Sequence, residues 1–184
     1  MNLLTLSLAA GFGIAAASSC AADSVAPANA ETSSQSISSR NNPANQLVGV
    51  WTTSAAVQPC DSPNPLPPPS PNNVLTFHAG GTASELTLFP PTGVPNVYGV
   101  TGLNWRSNGT GVWDYLPSRH EYMLSLRFNW FVDGAYNGYQ VVDRVMVMDD
   151  SGKHLSGQVQ TTRYGADGKV IVTLCGTGIS DRAF

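Results

Sequence analysis

The chain has 184 residues, of which 11% are charged, and a formal charge of −3 from 9 basic and 12 acidic side chains. That length holds one domain or at most two small ones. No basic cluster occurs anywhere, so nucleic-acid binding, which depends on neutralising phosphates, is not expected.

Residues 3–17 are apolar and small, bounded by Asn2 and Ser18. The run is too short to span a bilayer as a mature helix and reads as the apolar core of a secretory signal. No Lys or Arg precedes it, which is atypical; the first basic residue is Arg40. Two processing sites compete. Ala28-Asn29-Ala30 fits the small-x-small pattern of signal cleavage and gives a signal segment over 1–30. Ala17-Ser18-Ser19-Cys20 resembles a bacterial lipobox with Ala in the usual Leu position, and acylation of Cys20 would be the chain's one membrane contact. The expected location is secreted or periplasmic, or the outer membrane if Cys20 carries lipid. Residues 31–46, rich in Ser, Asn and Gln, read as a polar, disordered leader. The folded domain is then 47–184. It retains Cys60 and Cys175, an even number that suggests a disulfide in an exported protein.

From Leu47 onward, short apolar runs alternate with Gly, Asn, Asp and Pro, the punctuation of an all-β protein. Strands are expected near 47–55, 73–79, 82–88, 109–116, 120–132, 136–148, 153–163 and 169–182. No segment sustains a 3.6-residue apolar period, so no long helix is expected. Six prolines within 61–72 preclude a sheet ladder and define a stiff surface loop. Residues 89–108 form a second long connection, with a short strand at 97–103. Gly80-Gly81 and Asp133-Gly134 are two-residue turns in which Gly supplies positive φ. Asp150-Ser151-Gly152 and Ala166-Asp167-Gly168 read as three-residue loops. About eight short strands joined mainly by tight hairpins favour a sandwich or a single up-and-down antiparallel barrel.

The turns set an expected register. With Asp133-Gly134 as the turn, Val132 faces Ala135, and Tyr122, Leu124, Leu126, Phe128 and Trp130 share an apolar face with Tyr139, Val141, Asp143 and Val145. Asp143 is then the sole acid on that face, where desolvation would raise its pKa. It is a candidate for binding a polar ligand group or for acid chemistry. With Gly80-Gly81 as the turn, His78 faces Ala83 and Thr76 faces Glu85. His78 and Glu85 become diagonal neighbours about 7–8 Å apart at Cα. A carboxylate there could orient an imidazole as general base, but Leu75, Phe77, Leu86 and Leu88 on the other face are better interior candidates. His120 and His154 have no ligand-like partners, so no metal site is expected, and no cofactor. Gly-x-Ser-x-Gly, phosphate-loop and His-Glu-x-x-His motifs are missing.

Gly49-Val50-Trp51 resembles the start of the lipocalin (calycin) superfamily, in which a Gly-x-Trp on the first strand packs its indole at the closed barrel end. A basic residue near the last strand crosses that indole there, and Arg182 is the matching position. The usual C-terminal helix of lipocalins is missing. The block Thr76–Glu85, with Gly111-Val112-Trp113 and the strand holding Cys175, also resembles exported bacterial lipocalin-like proteins, a similarity that brings no activity with it. Placing Trp51 opposite Arg182 on antiparallel first and last strands sets Cys60 opposite Thr173, only two residues from Cys175, so the closure and a Cys60–Cys175 bridge support each other.

The resemblance implies an exported barrel that binds a small apolar molecule, with Tyr122, Leu124, Phe128, Trp130, Tyr139 and Asp143 as candidate ligand contacts. A second reading is a cyclase or isomerase barrel, similar to allene-oxide-cyclase-like proteins, using Glu85, Asp143 or His78. A third is a filled barrel acting through its surface. Fold alone does not choose among them; an empty or filled interior does.

Overall fold

A computed structural model describes residues 42–68, 70 and 73–184. The signal segment 1–30, the Cys20 anchor site and residues 31–41 of the expected leader lie outside the described residues. The described chain is antiparallel and all-β apart from one short turn. Its strands are β1 Gly49–Pro59, β2 Asn73–Phe77, β3 Thr82–Leu86, β4 Val94–Val97, β5 Val100–Arg106, β6 Gly109–Leu116, β7 Glu121–Val132, β8 Ala135–Met148, β9 His154–Tyr164 and β10 Val170–Arg182. Eight of them close a barrel in the order β1-β2-β3-β6-β7-β8-β9-β10, with β10 returning to β1. This is the up-and-down barrel expected from the hairpin punctuation.

The remaining two strands are a departure. The connection 89–108 holds a whole hairpin, β4–β5, turning at Tyr98-Gly99 with positive φ at both residues, the backbone twist that tight hairpins favour. Along β7, Thr110–Leu116 of β6 pair with the first part of the strand, and Asn104–Arg106 of β5 pair with Trp130–Val132 at its far end. The hairpin is thus carried on the open end of the barrel.

The seam between β1 and β10 has Trp51 opposite Arg182. Trp51 is fully buried and its indole N–H donates to the Leu47 carbonyl at 2.8 Å. The Arg182 guanidinium lies 4.3 Å above the ring, a cation–π contact. It also donates to the carbonyls of Gln46, Val48 and Gly152. Around this plug Leu47, Leu75, Phe77, Trp113, Tyr122, Leu124, Met146 and Leu155 form one apolar cluster that seals this end. Ordered structure begins before Leu47. The Asn42 side chain accepts the Ala44 N–H and starts a 3-10 turn at Pro43–Asn45, whose Pro43 carbonyl receives the Tyr122 hydroxyl. At the other end of the seam Cys60 and Cys175 are joined as a disulfide with a Cα separation of 4.7 Å.

Two registers differ from the sequence expectation, for one physical reason: an extra residue near a turn reverses every side chain beyond it. At the β2–β3 turn, His78 N–H donates to Thr82 O, and Phe77 rather than His78 faces Ala83. Glu85 therefore turns inward opposite Leu75 while Leu86 faces solvent. At the β7–β8 turn, Val132 faces Ala135 and Phe131 faces Tyr136 as expected, but Asn137 then bulges and Trp130 faces Gly138. Beyond the bulge Leu126 faces Val142 and Leu124 faces Arg144, so Gln140, Val142, Arg144 and Met146 point inward. Asp143, opposite Ser125, and Tyr139, opposite Asn129, belong to the outer wall.

Two outcomes follow from the seam. Trp51→Ala should lower the unfolding free energy by about 3–5 kcal/mol, the range for a large aromatic truncated in a core, measured by denaturant titration. Reducing the Cys60–Cys175 bond should lower the thermal midpoint, by at most about 5 kcal/mol of stability in the chain-entropy account, with the far-ultraviolet β spectrum retained.

Candidate functional site

Above the sealed end, the barrel interior is open. It encloses a cavity of about 420 Å³ whose walls are mainly apolar, from Leu75, Leu126, Phe128, Trp130, Val142 and Val159. Phe89 and Tyr98, from the β3–β4 connection and the hairpin turn, reach the same space, each with its ring edge-on to Trp130 at 5.5 and 6.2 Å. The long connections thus form the rim, and the strands form the wall.

Inward polar groups are built into that wall and its rim. The first is a charge pair. Arg106, on β5, grips both oxygens of Glu85 at 2.6 and 3.0 Å, and its guanidinium lies 4.1 Å from the centre of the Phe128 ring. Such a two-point pair fixes geometry as well as neutralising charge. Next is a relay through Gln140: Trp130 Nε1–H donates to its Oε1 at 2.7 Å, and its Nε2 donates to Thr161 Oγ1 at 2.6 Å. At the rim, Arg163 is completely buried, lies 4.3 Å from the Trp130 ring centre, and donates to the Asn104 and Asn137 side chains and the Val97 carbonyl. It fastens the β4–β5 hairpin to the barrel.

The last is Arg144, 4% exposed. Its two terminal nitrogens reach Ser180 Oγ at 3.4 Å, a distance at which little hydrogen bonding remains. Burial pushes its pKa down to about 10, with Glu85 pulling the other way, so it stays protonated at neutral pH. Met146, the next inward residue of β8, belongs to the sealed cluster. Arg144 therefore stands at the cavity floor.

The candidate residues separate accordingly. Phe128 and Trp130 line the cavity. Leu124 and Tyr122 lie below it in the sealed cluster, where burial, reinforced by neighbouring Tyr115, pushes the Tyr122 hydroxyl up to about 12. Tyr139 is stacked on Tyr164 outside the barrel, under Arg127 at 3.9 Å. Asp143 is exposed on the outer wall, so its expected place on the apolar face is corrected by the Asn137 bulge. Glu85 is inside, but His78 is not its neighbour; His78 is exposed and bonded to Ser84 at 3.1 Å. Sequence reasoning missed Arg106, Gln140, Arg144 and Arg163. The one signal for the two on β8, Gln140 and Arg144, was Asn137-Gly138 close to a turn, where a bulge reverses the strand. Among the described residues no cluster of His, Cys, Asp and Glu gathers as a metal site would require.

In comparisons with known proteins the chain matches no family model, no curated protein and no solved structure, so the reading of the site rests on this geometry.

Gly138 is the test of the register. Its φ is +115°, and a Cβ there would lie 2.0 Å from the Tyr164 carbonyl oxygen. Gly138→Ala should destabilise the barrel by roughly 1–3 kcal/mol or more through backbone strain and overlap, read as a lowered denaturation midpoint.

Proposed function

We propose that this protein is an exported barrel that binds a small, largely apolar molecule in its interior. One observation carries the reading: a cavity of about 420 Å³ with apolar walls remains between the sealed end and the rim, within the roughly 300–1,000 Å³ typical of small-molecule sites. A barrel acting only through its surface would have no need to leave that volume unpacked, since close packing stabilises an interior. Export is supported by the Cys60–Cys175 disulfide, a bond that persists in oxidising compartments. Among the described residues no helix is long and apolar enough to cross a membrane.

The cyclase or isomerase reading has less support. Both oxygens of Glu85 are held by Arg106, and Asp143 and His78 face outward. None of the three carboxyl and imidazole candidates offers a free group to a molecule in the cavity.

The test uses Nile red, a neutral dye whose emission rises in apolar surroundings. Wild type should bind it saturably, and filling the cavity by Ala55→Phe or Val142→Phe should weaken binding at least about tenfold, with the β spectrum unchanged; a tenfold loss corresponds to about 1.4 kcal/mol. Two variants are used because overpacking can itself cost about 1–3 kcal/mol of stability. No saturable uptake by wild type would overturn the binding reading.

A further inference from the structure

We propose that the molecule bound in the cavity carries a carboxylate on an apolar body, and that it enters head first to rest that carboxylate on Arg144. The proposal rests on the binding reading above and names the chemistry of its ligand.

The charges around the cavity do not cancel. Arg106 and Glu85 neutralise each other through two short hydrogen bonds. Arg144 is left without an acidic partner within ion-pair distance among the described residues, and its Nε has no hydrogen-bond partner at all. Its long contacts go to a Ser180 hydroxyl already bonded to Thr53. Burying a guanidinium without a counter-anion costs far more than a distant hydroxyl returns. The backbone nonetheless makes room for it. Gly178 on β10 lies beside the head group, and a Cβ there would stand 2.7 Å from Nη2.

The kind of anion follows from the same geometry. A guanidinium presents parallel N–H donors that match the two oxygens of a carboxylate. With Arg106 neutralised by Glu85 and Arg163 engaged at the rim by the Asn104 and Asn137 side chains, the uncompensated charge at the cavity floor is the single one of Arg144, which suits a monoanion better than a phosphate dianion. Orientation follows from depth: Trp130 and Phe128 line the cavity toward the rim, Val142 follows on β8, and Arg144 lies next to the sealed cluster. A carboxylate at the floor therefore leaves the rest of the molecule against apolar walls.

The experiment compares hexanoate, octanoate and decanoate with the matching alcohols by titration calorimetry, on wild type, Arg144→Met and Arg144→Gln. Wild type should prefer the carboxylate by about 10–100-fold, the range for a charge-assisted hydrogen-bonded pair. Arg144→Met should erase that preference, bind the alcohol at least as well, and keep or raise the thermal midpoint, because an apolar residue replaces an uncompensated cation. Equal binding of acid and alcohol by wild type would overturn the assignment without recourse to any variant. So would a carboxylate preference that survives in Arg144→Met. Uptake of Nile red without uptake of any carboxylate would overturn the head-group assignment while leaving the apolar cavity standing; failure of Nile red as well would overturn both.

Discussion

The antiparallel closure of β10 on β1 is the constraint on which the other features depend. Until that seam forms, the sheet has two free edges; once it forms, every strand of the ring has two partners. Arg182 does more at the seam than cover an indole. Its donors reach the carbonyls of Gln46, Val48 and Gly152, so one guanidinium gathers the turn before β1, the start of β1 and the β8–β9 loop. The apolar cluster around Trp51 then has a fixed level along the barrel, and the first inward position above it on β8 is Arg144. The depth of the cavity is a consequence of where the seam is in register.

The interior combines apolar walls with three arginines, and each is tolerated for a different reason. Arg106 has a carboxylate partner and an aromatic face. Arg163 has amide and carbonyl oxygens and the face of Trp130. Guanidinium is the cation best suited to such places because it is weakly hydrated and stacks on rings. Arg144 has neither an anion nor a ring among its described contacts. The difference between the three is what directs attention to the cavity floor.

How much of this could be read from residues alone depends on the distance from a punctuation mark. The positions of the eight ring strands and their order followed from turn glycines; the Trp51–Arg182 register came from the resemblance carried by Gly49-Val50-Trp51, and the Cys60–Cys175 pair from the even cysteine number together with that closure. The site did not. On β8 the outward residues Tyr139, Val141 and Val145 are as apolar as the inward Val142 and Met146, so hydrophobic alternation could not say which face is inside. The deciding feature is the Asn137 bulge, an irregularity with no pattern of its own beyond a glycine. The same one-residue ambiguity at Gly80-Gly81 moved Glu85 from the outer wall to the cavity. The β4–β5 hairpin was legible only as a short strand, because Val94–Val97 is brief, contains Pro95, and pairs irregularly with β5 while also receiving a buried arginine from a distant part of the chain.

The seam is stapled at both ends, and this decides where the wall can breathe. Between Trp51–Arg182 and Cys60–Cys175 the β1–β10 ladder is continuous over nine residues, and the β7–β8 ladder is longer still. In the arc of the ring between these two ladders, β2–β3 and β3–β6 are joined by ladders only four residues long. Fluctuations of a closed sheet concentrate where the fewest backbone bonds must break together. The compliant side of the cavity is therefore the β3 panel that carries Glu85. Its elasticity, more than the resting volume of the cavity, sets how bulky an occupant the barrel can admit.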